Sequence, residues 1–182
     1  GDLFDENGVL IFQGSFVEDL PEASGKEFRK DGTLLFEGSF LQGTRHDSGK
    51  IYFPDGTVQY DGEFFEGAQH GIGKEYRPDG TLIYEGNWLN GRRDGNGKLL
   101  SQEGVKRFEG LFAKGLIEGK GSEFREDGSL MYQGDFLKGQ RHGKGRYFLP
   151  GNMLIYDGDF AENTRHGNGT EFREDGSKVY QG

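Results

Sequence analysis

Residues 60–83 read YDGEFFEGAQHGIGKEYRPDGTLI, and segments of the same pattern recur along the whole chain. Each copy opens with an aromatic residue that is followed, two places on, by Gly, and the copies start 24 residues apart without insertion or deletion. The opening aromatics are Phe12, Phe36, Tyr60, Tyr84, Phe108, Tyr132, Tyr156 and Tyr180. A strict period of this length predicts one supersecondary unit stacked in a row.

We therefore expect one repeat array over residues 1–182, and we number the positions of a repeat 1–24 from its opening aromatic. The array would consist of a partial repeat at 1–11, seven full repeats and a partial repeat at 180–182. The full repeats are 12–35, 36–59, 60–83, 84–107, 108–131, 132–155 and 156–179. Because the chain begins and ends within a repeat, we interpret it as a segment of a longer array or of a multidomain protein.

Two strands are predicted in each repeat. Apolar or small residues alternate with polar ones over residues 57–64, which is typical of a half-buried strand. We predict a turn over Gly67–Gly71 and a second short strand over 73–77, with Tyr76 pointing inward. The PDG sequence at 78–80 fits a three-residue hairpin loop with Gly in the left-handed region. Each repeat is thus expected to be a hairpin with strands near positions 22–6 and 14–18.

Stacked hairpins of this kind predict an all-β fold: an elongated, twisted, single-layer antiparallel meander of β-hairpins, similar to a solenoid. Its inner face would carry the aromatic residues of positions 1, 5 and 17, with Gly at position 3 leaving room for neighbouring rings. Position 5 carries Phe16, Phe40, Phe64, Trp88, Phe112, Phe136 and Phe160, of which the last six form the structural ladder. The position 17 column comprises Phe4, Phe28, Tyr52, Tyr76, Leu100, Phe124, Phe148 and Phe172.

The composition fits packing by aromatic side chains and restricts the possible ligands. Hydrophobic residues make up 32% of the chain and aromatic residues 14%, whereas a disordered chain would carry few rings. The 31 acidic residues exceed the 22 basic ones, giving a net charge of −9, which argues against nucleic-acid binding and strong anionic-lipid binding. No apolar run approaches the ~20 residues of a membrane span. Cys is absent, so no disulfide frame exists.

Histidines and aspartates recur at fixed positions, and we interpret both as turn residues. His46, His70, His142 and His166 occupy position 11, where no second metal ligand lies beside them. Position 20 carries Asp31, Asp55, Asp79, Asp127 and Asp175, one carboxylate in each of these loops, whereas Ca²⁺ takes six or more oxygens. No helix follows the Gly pairs to bind phosphate, and no Ser/His/Asp order recurs. We therefore expect no metal, no cofactor and no catalytic residue, and we do not predict an enzyme.

The repeat pattern YxGxWxxGxxHGxGxxxxxDG resembles the MORN (membrane occupation and recognition nexus) repeat. Residues 84–97 (YEGNWLNGRRDGNG) show its first half, and residues 140–145 (QRHGKG) show its HGxG part. The usual repeat has one residue fewer between DG and the next aromatic, and one extra residue inverts the sheet faces beyond that turn. The resemblance implies a cytoplasmic scaffold or linker module that holds partner proteins, often at the cytoskeleton or near a membrane.

A second period of 48 residues is superposed on the first. Positions 16–18 read Glu-aromatic-Arg in odd repeats, where we expect solvation, but are largely apolar in even repeats. The even repeats would form three apolar clusters on the outer face, opposite the aromatic ladder. These clusters are Leu35/Ile51/Phe53, Ile83/Leu99 and Met131/Tyr147/Leu149. They could either bind a partner or pack against each other to set the curvature of the sheet.

Three functions follow from these patterns. The first is a non-catalytic scaffold that binds an extended or helical segment of a partner protein along one sheet face. The second is a structural rod that self-associates through the apolar clusters with another copy of the array. The third is a targeting arm of a larger enzyme whose catalytic domain lies outside this segment.

Overall fold

The computed structural model describes the backbone of residues 1–181 and the side chains of residues 1–179. In this part of the chain the regular structure is entirely β, in sixteen strands without a helix. The chain divides into two compact units, Gly1–Arg92 and Arg93–Gly182. Within each unit every strand pairs antiparallel with its neighbours in sequence, so the predicted all-β meander of hairpins is confirmed.

The strands are 8–10 residues long except for the first and the last, which have 3 and 4 residues. The first unit contains β1 (Asp2–Phe4), β2 (Leu10–Val17), β3 (Leu20–Phe28), β4 (Leu34–Leu41), β5 (Thr44–Tyr52), β6 (Val58–Phe65), β7 (Ala68–Tyr76) and β8 (Leu82–Leu89). The strands that follow are β9 (Arg92–Leu100), β10 (Lys106–Ala113), β11 (Leu116–Phe124), β12 (Leu130–Leu137), β13 (Gln140–Leu149), β14 (Met153–Ala161), β15 (Thr164–Phe172) and β16 (Lys178–Gln181).

One kind of hairpin closes at the DG sequence. The backbone N–H of Gly80 donates to the Arg77 carbonyl at 2.9 Å, and that of Arg77 donates to the Thr81 carbonyl at 2.9 Å. Gly80 has φ 83°, which an L-residue adopts only with strain. The loop is therefore a type I turn closed by a left-handed Gly, as the sequence predicts. Asp79 braces it by accepting hydrogen bonds from the backbone N–H and the hydroxyl of Thr81 at 2.9 and 2.7 Å.

The other kind of hairpin is tighter than predicted. Glu66 and Gly67 alone form its loop, with φ of 47° and 82°, which fits the type I′ turn that joins twisted strands. Ala68 already belongs to β7, so the expected turn over Gly67–Gly71 is wrong in extent. The second strand of a repeat accordingly runs over positions 9–17 and not 14–18.

A bulge lies within this longer strand where a turn was expected. The register passes from Glu63 opposite His70 to Gly62 opposite Gly73, which leaves two residues of β7 without a partner on β6, although both are paired with β8. The first of them, Gly71, has φ 59°. The glycine at position 12 therefore serves a bulge and not a loop.

The residue that lengthens the repeat to 24 forms a second bulge. Between β5 and β6, Ile51 pairs with Tyr60 and Tyr52 pairs with Val58, so Gln59 at position 24 has no partner across the ladder. In the other DG hairpins the residue at position 24 likewise has no partner on the preceding strand. Because the bulge absorbs the extra residue, position 16 of one repeat lies opposite position 1 of the next.

This register corrects the predicted face of position 17. Glu75 lies opposite both Tyr60 and Tyr84, so position 16 shares their sheet face and Tyr76 points to the other one. On that other face the Tyr52 hydroxyl lies 3.4 Å from the Glu37 carboxylate. The prediction that the position 17 column joins the inner ladder is wrong. Its members are Phe4, Phe28, Tyr52, Tyr76, Leu100, Phe124, Phe148 and Phe172.

The core of each unit lies on the face that carries positions 1 and 5. All six ladder residues at position 5 are buried, with 3–7% of their surface exposed: Phe40, Phe64, Trp88, Phe112, Phe136 and Phe160. Their rings meet the position 1 rings edge to face, with 5.3 Å between the centroids of Tyr60 and Phe64. The position 1 rings lie over a row of paired glycines at positions 3 and 14, such as Gly62 and Gly73.

No helix long and apolar enough to span a membrane occurs in the described chain.

Candidate functional surfaces

The two faces of each sheet differ in chemistry. We call the face with positions 1, 5 and 16 the aromatic face, because it carries the buried rings. We call the opposite one, with positions 2, 4, 6, 11, 13, 15 and 17, the open face. A binding site on either face would have to form from side chains that the core does not already use.

On the aromatic face, ion pairs cover the rings. The Arg45 guanidinium lies 4.6 Å from the ring centroid of Phe36 and pairs with Glu27, whose carboxylate accepts from Nε at 3.0 Å. Glu27 stands at position 16 of an odd repeat and Arg45 at position 10 of the next, even repeat. The prediction that the odd-repeat glutamates are simply solvated is therefore wrong, because they hold arginines over neighbouring rings.

The second unit repeats this arrangement. Arg141 pairs with Glu123 at 2.7 Å between Nη2 and Oε2. Its guanidinium carbon lies 5.3 Å from the ring centroid of Tyr132 and 5.2 Å from that of Tyr147. The partial burial of both charged side chains, at 16% and 31% exposed, distinguishes this pair from a solvated surface pair.

The odd-repeat arginines at position 18 are also structural. Arg29 donates from Nη1 to the Leu34 carbonyl at 2.7 Å, and from Nη2 to the Tyr52 carbonyl of the next repeat. Arg125 makes the matching bonds to the carbonyls of Leu130, at 2.7 Å, and Phe148. These arginines satisfy backbone oxygens beside the position 24 bulge, so the expectation of plain solvation is wrong for them too.

The apolar clusters do not lie where the sequence placed them. In the register, the position 16 members Ile51, Leu99 and Tyr147 face the position 1 rings of Phe36, Phe108 and Tyr132. The clusters therefore reach the aromatic face and not the face opposite the ladder. All eight candidates are half-buried: Leu35, Ile51, Phe53, Ile83, Leu99, Met131, Tyr147 and Leu149. Whether they bind a partner stays a prediction.

The open face carries a row of alternating charge that the sequence reading missed. Positions 15 and 2 lie opposite one another on successive strands, and across β3–β8 they are alternately basic and acidic. The row is Lys26, Glu37, Lys50, Asp61, Lys74 and Glu85. Ion pairs join its members, at 3.5 Å for Lys26 and Glu37 and 3.2 Å for Lys50 and Asp61. The hydrogen bond that Lys50 donates to the Asp61 carboxylate raises the pKa of Lys50.

In the second unit the corresponding row is interrupted. Lys98 lies opposite Glu109, but the next strands supply the neutral pair Ser122 and Gln133 before Arg146 meets Asp157 at 3.0 Å. The alternation could have been found by comparing positions 2 and 15 across repeats, because all charges of one sign fall on one position.

The open face has a shallow channel over the backbone of the glycine row, between the side chains of positions 2 and 15 and those of positions 4 and 13. In the first unit a depression of about 400 Å³ runs along it, floored by Gly14, Gly25 and Gly38 and flanked by Lys26 and Glu37. In the second unit a depression of about 540 Å³ follows Gly110, Gly121, Gly134 and Gly145. Backbone of the glycine row lines these depressions, although position 14 glycines such as Gly25 and Gly145 are themselves buried, and the rings cover the row on the other face.

The histidine and aspartate columns take part in the hairpins. Asp31, Asp55, Asp127 and Asp175 each accept hydrogen bonds from the backbone two residues on, as Asp79 does. His46 and His70 flank the ring of Phe65, with centroids 5.4 and 5.5 Å away. Within the described residues, no group of three or more His, Cys, Asp or Glu side chains is arranged to hold a metal ion.

Comparison with protein families identifies the repeat. The MORN repeat model matches seven stretches: residues 12–34, 36–58, 60–82, 84–105, 108–130, 132–153 and 156–178. The unmatched gaps fall at or beside position 24, the residue that the structure places in a bulge. Comparison with curated proteins gives no match. The matches cover well over half of the chain, and the chain belongs to the MORN repeat family.

Proposed function

We propose that the protein is a non-catalytic scaffold whose open face binds an extended or helical segment of a partner protein. MORN repeats are generally protein- or membrane-interaction repeats, which supports the interaction role. We choose the open face because the aromatic face and the open face differ in how much of their surface the core already uses. The aromatic face is filled by its own rings and covered by ion pairs such as Glu27–Arg45, whereas the open face carries exposed charged side chains beside shallow depressions.

The charge row gives this face a means of recognition. Lys50 and Asp61 sit at the surface in a cross-strand ion pair, with 47% and 42% of their side chains exposed. Exposed pairs of this kind contribute little to folding, commonly under about 1 kcal/mol, so a partner can exchange them for its own charges at small cost. Charged groups spaced one strand apart, about 4.8 Å, would fix the register of such a partner.

The apolar clusters of the even repeats are the second candidate surface. Leu149 lines a depression of about 360 Å³ together with Ile155, Arg165 and Phe172 of the second unit. An apolar side chain of a partner, or of a second copy of the array, could enter this depression. The net charge of −9 argues against nucleic acid and strong anionic-lipid binding in either case.

The test is affinity capture from cell extract with the intact chain immobilised, read out by quantitative mass spectrometry. Reversing one sign of the charge row with Lys26→Glu, Lys50→Glu and Lys74→Glu should remove the specific partners. The melting temperature should change by no more than a few degrees, because the pairs are exposed. The matched variant carries Phe53→Ser, Leu99→Ser and Leu149→Ser in the apolar clusters.

Each outcome assigns the surface. If only the lysine variant (Lys26, Lys50 and Lys74 changed) loses the partners, the open face is the binding surface. If only the cluster variant (Phe53, Leu99 and Leu149 changed) loses them while it stays folded, the open face is contradicted and the apolar clusters are favoured. Light scattering of both variants tests the self-association alternative, since a change of mass with the same substitutions would mean that the partner is another copy. Partners retained by both variants would contradict an interaction role for either face.

A further inference from the structure

An apolar stripe runs along one margin of the open face in the first unit. At position 6, beside the type I′ turns, the unit carries Val17, Leu41, Phe65 and Leu89, with 44–58% of their surface exposed. These residues lie on β2, β4, β6 and β8, that is, on alternate strands. The second unit has Ala113 and Ala161 at this position and one large residue, Leu137, at 42%. The stripe is therefore a property of the first unit.

The strands between contribute small or apolar residues to the same margin. Val17 lies opposite Leu20 on β3, and Phe65 lies opposite Ala68 on β7. Leu20 is itself 47% exposed. Large apolar side chains that stand in a line at the surface and that the core does not use mark a contact surface.

The spacing of the stripe selects the conformation of its occupant. Residues on alternate strands stand about 9.6 Å apart, twice the strand separation of about 4.8 Å. A polyproline II segment presents the same side every three residues, about 9.3 Å. An α-helix presents the same side again after seven residues, about 10.5 Å. A β-strand presents the same side about every 6.6 Å, so its side chains could match the stripe only at about 6.6 or 13.2 Å. Over the three steps from Val17 to Leu89 the mismatch is about 0.9 Å for polyproline II and about 2.7 Å for a helix.

The charges beside the stripe select a basic occupant. Glu18, Asp19, Glu63 and Glu66 are exposed along this margin. The type I′ turn occupies positions 7 and 8, and positions 4, 6, 9 and 11 are the open-face positions next to it. Among these positions of the first unit, Arg92 is the one Lys or Arg. A second copy that docked through the same margin of its first unit would bring acidic residues against acidic residues, which repulsion disfavours. Lys or Arg side chains next to the apolar positions would instead meet these carboxylates.

We propose that the margin formed by Val17, Leu41, Phe65 and Leu89 binds a basic polyproline II segment of a partner protein, with an apolar residue at every third position. This inference rests on the proposed function and specifies the partner of the open face in the first unit. The segment lies across the strands, with its apolar side chains between the stripe residues and its cations toward the glutamates. Polyproline II segments lose little conformational entropy on binding, which suits a shallow surface.

Fluorescence anisotropy with a labelled Lys-Pro-Leu peptide of four triplets tests the proposal on the intact chain. We expect saturable binding that weakens with added salt, and no binding of the Asp-Pro-Leu or Lys-Pro-Ser peptides. Leu41→Asp and Phe65→Asp should each weaken binding at least tenfold. Leu137→Asp is the matched control, because it changes an equally exposed residue at the same repeat position of the second unit. Circular dichroism melts verify that all three variants are folded.

Binding that is unchanged in folded Leu41→Asp and Phe65→Asp, or absent in the unaltered chain, would overturn the proposal. Tighter binding of a helical peptide with Leu at every seventh position and the same number of Lys would overturn the conformation proposed. Partners captured from extract by Phe65→Asp but lost in the lysine variant of the charge row would refute this stripe and leave the scaffold function standing. Partners lost in neither variant would refute binding by the open face.

Discussion

The ring of Tyr60 lies so close over Gly73 that a Cβ atom at this glycine would stand 2.2 Å from the phenolic oxygen and 2.5 Å from Cζ. The same contact recurs wherever a position 1 ring crosses a glycine at position 14, for example Phe36 over Gly49 at 2.3 Å. The glycine columns are thus a packing requirement of the rings. Because a Cβ atom at these glycines would point toward the rings, the glycines serve the core of the aromatic face, while the depression on the open face lies between side chains of the neighbouring positions.

Substitution of these glycines should destabilise the fold. Gly49→Ala and Gly73→Ala place a methyl group inside a neighbouring ring, and overpacking of this kind costs about 1–3 kcal/mol. Chemical denaturation measures the loss of unfolding free energy. Ser48→Ala, at the exposed neighbouring position, is the control and should stay within about 0.5 kcal/mol of the parent. Equal stability of Gly49→Ala and Ser48→Ala would show that the rings move aside at no cost.

Each aromatic residue of the ladder should stabilise mainly the strands next to it. Phe64 packs edge to face against Phe36 and Tyr60, with centroids 5.0 and 5.3 Å away, so Phe64→Ala should cost about 3–5 kcal/mol. Phe65→Ala, one residue along and 44% exposed, should cost far less. Because repeats interact mainly with their nearest neighbours, amide exchange should rise first in β4–β7. A uniform rise over the described strands would contradict this local coupling.

The ion pair over the rings should be measurable by a double-mutant cycle. Glu123→Gln and Arg141→Gln, singly and together, should give a coupling of about 1 kcal/mol because both side chains are partly buried. The exposed pair Lys26–Glu37, treated in the same way, should give less than about 0.5 kcal/mol. The reverse order of the two couplings would mean that the odd-repeat glutamates are solvated after all.

Alkaline pH should unfold the protein through its buried phenols. Burial raises the pKa of Tyr132 to about 12 and also raises that of Tyr60, against about 10 in an unfolded chain. The folded state therefore favours the neutral phenol, so its contribution to stability is complete below pH ~10 and is lost as pH rises toward ~12. Denaturation midpoints between pH 9 and 12 test this, and Tyr132→Phe should flatten the decline. An unchanged slope in Tyr132→Phe would contradict the assignment.

The sequence predicted the hairpins and the ladder because both depend on local chemistry. The PDG loop at 78–80 requires a left-handed glycine, and the position 5 aromatics have no other place to pack. The prediction that Tyr76 points to the aromatic face was wrong. It assumed that the aromatic residue would be the buried one, although alternation along the strand from Gly73 places Glu75 on that face. A glutamate faces the rings because an arginine pairs with it, as Glu27 and Arg45 show. Such pairs come from residues 18 apart, beyond the reach of strand alternation.

The candidate surface was missed for a related reason. The even-repeat clusters were sought by apolar character alone, whereas the open face is marked by charges that alternate between strands. Only the register shows that Lys50 lies between Glu37 and Asp61.

Site-specific photo-cross-linking tests the central claim, that the open face binds the partner, most directly. The chain contains no Cys, so a benzophenone maleimide can be attached at one chosen residue. Ser24→Cys and Ser48→Cys place it beside the glycine row of the open face, and Ile51→Cys and Leu149→Cys place it in the apolar clusters. With partner captured from extract, we expect cross-linked product from Ser24→Cys and Ser48→Cys only; product from Ile51→Cys and Leu149→Cys alone would contradict the account.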